Sequence, residues 1–168
     1  MLSKKVEEAL NKQVAYEVYA SSSYLSMASW CEKEGLRGTA SFLYAQSEEE
    51  KTHMLKIFRY INEAGGHALS PALKEPPNKY NSINHVFELA LEQEINVTNQ
   101  INKLVELSLD TQDYASFHFL QWFVEEQLEE EKLFRMILDI IKLAGKEGRS
   151  LLLIDNEIGK LREEEEKS

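Results

Sequence analysis

Residues 65–82 read GGHALSPALKEPPNKYNS, and this stretch decides how the rest of the chain can be arranged. It opens on a glycine pair and holds all three prolines, Pro71, Pro76 and Pro77, so neither helix beside it can continue through it. Helical periodicity dominates on both sides, and few segments alternate as strands do. The pattern predicts helices over residues 4–33 and 39–64 before the stretch, and over 82–109 and 113–144 after it. Ser3 is the expected N-cap of the first helix, and Gly35 lies just past its end. The first two helices are joined through residues 35–38 and the second two through 110–112, connections so short that each pair must be antiparallel neighbours. The connection between the pairs, some 18 residues with Ser82 included, is long for a bundle. The second helix spans about 40 Å at about 1.5 Å per residue. An extended chain covers about 3.3 Å per residue, so the linker can return along the whole bundle. The expected architecture is all-α: a four-helix bundle over about 4–144 with one long crossover and the second and third helices parallel. A short fifth C-terminal helix is expected over about 150–161, and the run EEEEKS at 163–168 should fray as a like-charge terminus.

Length and composition bound the rest. A chain of 168 residues with 43% apolar and 29% charged residues suits one domain, 1–168, with a real core. A net charge of −10 excludes a nucleic-acid partner, since phosphates would be repelled and no basic patch offsets the repulsion; the same charge suits attraction of cations. Cys31 is the only cysteine, so an internal disulfide is impossible and a reducing compartment is expected. No apolar run approaches the ~18 residues of a membrane span. The opening MLSKKVEEAL enters amphipathic helix without an apolar signal region. The expected location is cytoplasmic.

The apolar stripes carry acids. In EEEKTHML, residues 48–55, Glu50 and His53 fall on the same stripe as Leu43, Ser47, Ile57 and Ile61, so both point inward. Glu17 shares a stripe with Leu10, Tyr24 and Cys31, and Glu94 with Phe87, Leu91, Val97 and Ile101. Gln127 and Glu130 interrupt Phe119, Phe123, Phe134 and Ile141. Each interruption lies near the middle of its helix, so antiparallel packing brings them to one level. An ionised carboxylate taken from water costs several kcal/mol, and a net stability of ~5–15 kcal/mol cannot carry four unpaired ones. No inward Lys or Arg is expected at that level to pair with them. The carboxyls can share protons as a coupled set, or two divalent cations can set +4 against the −4 of Glu17, Glu50, Glu94 and Glu130. Metal is the better answer. The oxygen-rich set with one imidazole and no thiolate argues against structural zinc, and calcium prefers loop carbonyls. A Glu-x-x-His element, here Glu50-Lys51-Thr52-His53, is typical of di-iron and di-manganese bundles. The matching place on the fourth helix reads Gln127-Leu128-Glu129-Glu130.

Helix lengths, crossover, Glu17, Glu50, Glu-x-x-His, Glu94 and Gln-x-x-Glu together resemble the ferritins, specifically the bacterial-type non-haem ferritins, over essentially the whole chain. The resemblance implies a ferritin-like fold. It also implies a ferroxidase that oxidises Fe(II) with dioxygen or hydrogen peroxide at an intrasubunit di-iron centre and stores ferric oxyhydroxide mineral in a 24-subunit homo-oligomeric shell. It implies that Glu17, Glu50 and His53 hold one iron and that Glu50 bridges to a second held by Glu94 and Glu130. Gln127 is then a polar neighbour of the second iron, and Tyr24 and Trp122 lie beside the centre. A third iron site is implied at Glu49, Glu126 and Glu129, with Glu130 shared. No haem is expected, because a haem-binding ferritin would carry a second Glu-x-x-His and a methionine where Lys51 stands. A mini-ferritin that coats DNA builds its site between subunits, and di-iron oxygenases generally need a longer chain. The reductant for iron release is not legible.

Other residues take blander readings. Cys31 is expected as a small buried hydrophobe, His67, His85 and His118 as surface residues, and Met27, Met54 and Met136 as packing residues. SLLLIDNEIG, residues 150–159, is too short and too apolar to stand alone. In ferritins this helix lines a four-fold axis, where residues 151–154 would make an apolar passage.

Overall fold

A computed structural model of the protein describes residues 2–145 and 148–165. Within them lie five helices: α1 (Lys4–Lys33), α2 (Arg37–Glu63), α3 (Ile83–Asp110), α4 (Tyr114–Ala144) and α5 (Gly148–Glu165). None is long and apolar enough to cross a membrane. Ser3 accepts from the Val6 N–H at 3.3 Å, Ser82 from the His85 N–H and Asp113 from the Ser116 N–H. Short side-chain acceptors thus start three of the four long helices.

Two apolar clusters establish the topology. One gathers Tyr24 and Met27 of α1, Phe42 and Leu43 of α2, Val86 and Phe87 of α3, and Phe134 and Ile137 of α4. The other gathers Leu10, Ile57, Ile101 and Leu120, with further neighbours. Helices α2 and α3 both run from the first cluster to the second, and α1 and α4 run the other way. The long crossover is what makes α2 and α3 parallel. It leaves α2 at Gly65, which takes φ +84°, a conformation open to glycine without a Cβ penalty. It then lies along α1: the Leu69 N–H donates to Asn11 Oδ1 at 2.8 Å, Asn11 Nδ2 donates to the His67 carbonyl at 3.0 Å, and Ser26 Oγ donates to the Pro77 carbonyl at 2.6 Å. Tyr80 then closes edge-on against Trp30.

The fifth helix departs from expectation. It is 18 residues long rather than a short 150–161 segment, and it continues through Glu165 instead of fraying at 163; residues 166–168 lie outside the described residues. The reason is tertiary. Ile154 and Ile158 are buried, and Asp155 reaches the start of α2. There it accepts from the Thr39 N–H (2.7 Å) and Thr39 Oγ1 (2.8 Å) on one oxygen and from the Gly38 N–H (3.1 Å) on the other. Helix α2 starts at Arg37, two residues earlier than the sequence pattern suggests, and its own N-cap, Leu36, offers no side-chain acceptor. The cap is therefore supplied from 116 residues away. The helices cross so closely that a Cβ at Gly38 would lie 2.3 Å from the Asp155 carbonyl oxygen, and one at Gly159 would lie 2.9 Å from Gly38 Cα. Leu151, Leu152 and Leu153 are exposed, but Ile154 turns inward, because a 3.6-residue period places it on the same face as Ile158. An apolar passage over 151–154 would therefore lack its last member.

Smaller readings also shift. Met27 is buried and Met54 half-buried, whereas Met136 is 41% exposed and is not a packing residue. His85 is half-buried and its Nδ1 accepts from the Asn81 N–H, while His67 and His118 are exposed. Cys31 is fully buried, and desolvation pushes its thiol up to about 12, which makes it a packing residue rather than a nucleophile.

The shared cap gives a test. Asp155→Ala should cost about 1–2 kcal/mol, the usual worth of an N-cap, and Asp155→Asn less, since one acceptor remains. Amide hydrogen exchange should show lost protection in α5 and the first turn of α2. Unchanged protection in Asp155→Ala would mean that the cap does not hold α5 down.

Candidate metal centre

The space between the two apolar clusters is where the acids converge. Glu17 lies between Val14 and Ala20 on α1, and Glu50 and His53 between Leu43 and Ile57 on α2. Glu94 lies between Ala90 and Val97 on α3, and Gln127 and Glu130 between Phe123 and Phe134 on α4. The four carboxylates are only 1–4% exposed and His53 is 2% exposed. One ligating atom each from Glu17, Glu50 and His53 lie within 4.8 Å of one another.

Three of the four carboxylates receive hydrogen bonds from neutral groups, and Glu50 lies against His53. Gln13 Nε2 donates to Glu17 Oε1 at 2.7 Å, and Gln46 Nε2 to Glu130 Oε2 at 2.6 Å. The Tyr24 hydroxyl donates to Glu94 Oε1, and Gln127 Nε2 donates to Glu94 Oε2 at 3.1 Å. Nδ1 of His53 lies 3.2 Å from Glu50 Oε2. With both carboxylates ionised, Glu17 Oε2 has no hydrogen-bond donor; a proton on Glu50 supplies one. These are the marks of a donor set built to take either protons or cations.

Electrostatics agree with that reading. Desolvation pushes Glu50 well up, and the charges of Glu94 and Glu17 add to the shift. Desolvation also raises Glu17, against hydrogen bonds with Glu50 and Gln13, and raises Glu130, with the charge of Glu94 adding. Glu94 rises to about 7 through desolvation, although the Tyr24 and Gln127 bonds pull it back. Burial lowers His53 to about 4, so its imidazole is neutral at pH 7 with one nitrogen available as a ligand. The Tyr24 phenol is raised well above its usual value, first by desolvation and then by the surrounding glutamates, and stays protonated as a donor.

A second cluster joins His53 on the flank of the bundle. Ligating atoms of Glu49, His53 and Glu126 lie within 4.8 Å of one another, and His53 Nε2 is 3.8 Å from Glu126 Oε1. Desolvation, with the charge of Glu49 next, brings Glu126 to about 7. Glu129, expected in the same group, is exposed; it acts on Glu126 only through its charge. Glu129 stands one helical turn beyond Glu126, on the solvent side of the same flank. Trp122 stands edge-on to His53 with ring centroids 5.4 Å apart, and Lys56 Nζ lies 4.1 Å over the Trp122 ring.

Three partners were missed by sequence reasoning. Gln13 and Gln46 stand four residues before Glu17 and Glu50 on the same inward stripes, and that spacing was the available signal. The third is Arg162, which overturns the expectation that no inward cation exists at this level. Its guanidinium donates to Gln46 Oε1 and Glu49 Oε2. It shares a face of α5 with Asp155 and Ile158, but a helix expected to end at 161 left it outside.

The arrangement defines a helical bundle with a buried carboxylate–imidazole cluster that could hold a divalent metal. Residues 7–144 match the Ferritin family, a ferritin-like domain. The chain is 45% identical over 161 residues to a probable bacterial non-heme ferritin-like protein of Haemophilus influenzae, covering 96% of this chain and 98% of that one. It is 44% identical over 158 residues to the bacterial non-heme ferritin of Campylobacter jejuni, covering 94% and 95%. A solved open-pore ferritin from the archaeon Archaeoglobus fulgidus superposes with a TM-score of 0.92 at 40% identity, covering 95% of this chain and 98% of that one. The chain belongs to the ferritin family.

The raised carboxyls carry a pH signature. A carboxyl whose folded value is raised contributes stability that is fully present below its ordinary value of 4.5 and is lost as pH rises through the folded value, about 7 for Glu94. Neutral His53 works in the opposite sense: its contribution is present above 6.5 and is lost as pH falls through about 4. Four carboxylates outweigh one imidazole. Calorimetry of the metal-free protein should therefore show a higher Tm at pH 5 than at pH 8, and a divalent cation should flatten the difference. A metal-free Tm that rises from pH 5 to pH 8 would contradict the protonated cluster.

Proposed function

We propose that this protein stores iron and is a ferroxidase, with Fe(II) as its substrate and dioxygen or hydrogen peroxide as the electron acceptor. The observation that carries this reading is the approach of Glu17, Glu50 and His53 to within 4.8 Å at the centre of the bundle, with Glu94 and Glu130 at the same level. In it, Glu17, Glu50 and His53 bind one Fe(II), and Glu50 bridges to a second bound by Glu94 and Glu130. The neutral imidazole serves the inner ion through Nδ1 and turns its Nε2 face toward Glu126 and Glu49. Gln13 orients Glu17 and Gln46 orients Glu130, each fixing one oxygen so that the other can turn to an ion, while Tyr24 and Gln127 hold the two oxygens of Glu94. Four carboxylates and one imidazole with one bridge leave coordination positions open for water and oxidant. Carboxylate ligands favour Fe(III) over Fe(II), which makes the bound Fe(II) a reductant. Protons held by the raised carboxyls leave as iron binds.

The same reading assigns Glu49 and Glu126 to a third iron, with Glu130 shared and Glu129 on the solvent side. It also includes deposition of ferric oxyhydroxide inside a homo-oligomeric shell of 24 subunits, a cytoplasmic location and no haem. A single histidine at the centre lets oxidised iron pass on rather than stay as a permanent cofactor.

Outer partners of metal ligands are commonly worth 10–100-fold, so loss of a ligand itself should cost at least that. His53→Ala and Glu130→Ala should each slow the fast phase of aerobic Fe(II) oxidation by roughly tenfold or more in stopped-flow absorbance, with helical circular dichroism unchanged. Sizing and electron microscopy of the iron-loaded protein test the shell. Oxidation at background rate in the unsubstituted protein would sink the ferroxidase reading.

A further inference from the structure

Among the described residues of α5, Arg162 is the long cationic side chain that reaches the acids of α2, and nothing in the ligand scheme above uses it. Helix α5 presents Asp155, Ile158 and Arg162 on one face, at spacings of three and four residues. Asp155 and the Gly38–Gly159 crossing anchor that face on α2. The side chain of Arg162 crosses Phe42, with its guanidinium carbon 5.3 Å from the ring centroid, and its head is half-buried at 19% exposure. There it donates to Glu49 Oε2 and to Gln46 Oε1. Gln46 in turn donates through Nε2 to Glu130 Oε2 at 2.6 Å.

We propose that Arg162 is a resident counter-cation that occupies the Glu49 carboxylate in the absence of metal, so that a cation binding between Glu49 and Glu126 must first displace the guanidinium. The inference rests on the reading of Glu49 and Glu126 as ligands, and it adds a competitor carried by the fifth helix.

The chemistry supports competition rather than shared binding. An arginine cannot lose its proton near neutral pH, so it leaves Glu49 only by moving. A guanidinium and a divalent ion on the same carboxylate repel, and the repulsion is strong in a partly dry site. The charge of Arg162 is also felt by His53, Glu126 and Glu130, all of which border the same space. Its second bond orients Gln46: with Oε1 held by Arg162, the amide can offer only Nε2 to Glu130. The inner carboxylates Glu17, Glu50 and Glu94 have partners of their own in Gln13, His53 and Gln127. The device therefore discriminates between the two inner cations and the outer one, and links the outer one to the docking of α5.

Zn2+ titration followed by isothermal calorimetry on the metal-free full chain reads this directly, because Zn2+ binds without oxidation. The unsubstituted protein should take two Zn2+ per subunit tightly and a third weakly. Arg162→Ala should tighten the third event at least tenfold and change the first two by less than about threefold; Arg162→Gln should act in the same direction, and Arg162→Lys should stay close to the unsubstituted protein. Glu49→Gln should remove the third event in every background. A third event of equal affinity in Arg162→Ala, Arg162→Gln and the unsubstituted chain overturns the inference. So does a uniform weakening of all three events, which is what an arginine of purely structural value would give. Absence of the first two events in the unsubstituted protein would instead overturn the proposed di-iron centre.

Discussion

Four carboxylates and an imidazole withdrawn from water at one level of a helical bundle set the terms for everything around them. Each ionised acid is costly to bury, so the bundle surrounds them with aligned neutral donors and raises their affinity for protons. The two apolar clusters on either side do the holding. They clamp α1 to α4 above and below the acids, so the centre is positioned by packing that does not depend on whether an ion is bound. Deep burial then has two effects. It raises the affinity of the acids for protons, and it sets them close enough that a divalent cation would offset their charge.

The fifth helix is part of this arrangement rather than an appendage. Asp155 completes the cap that α2 cannot make for itself, and the glycine crossing brings the two backbones close enough for the next turns of α5 to lie over the flank of the centre. Arg162 follows from that placement. A helix whose exposed face carries Leu151, Leu152 and Leu153 thus presents, on its opposite face, a charge to the acids of α2.

Much of the centre was legible because helical geometry converts spacing into direction. Glu17, Glu50, His53, Glu94 and Glu130 each interrupt an apolar stripe, and one interruption per long helix at mid-length can only mean convergence. The glutamines were harder. Gln13 and Gln46 sit on the same stripes, but a neutral amide in a core attracts no notice until the acceptor it serves is known. Arg162 escaped notice because its placement depends on how α5 is rotated against its neighbours, which the order of residues leaves open beyond a presumed helix end.

The amino-acid sequence by itself determined the helix count, the antiparallel pairs, the parallel middle helices imposed by an 18-residue crossover, and the ring of inward acids. These follow from local periodicity, turn chemistry and chain reach, which act over a few residues. Tertiary structure alone decided that α2 is capped by Asp155, that α5 runs on past 161, that Ile154 faces inward, and that a guanidinium rests on Glu49. Each of those depends on partners more than 100 residues apart, and only packing brings such partners together.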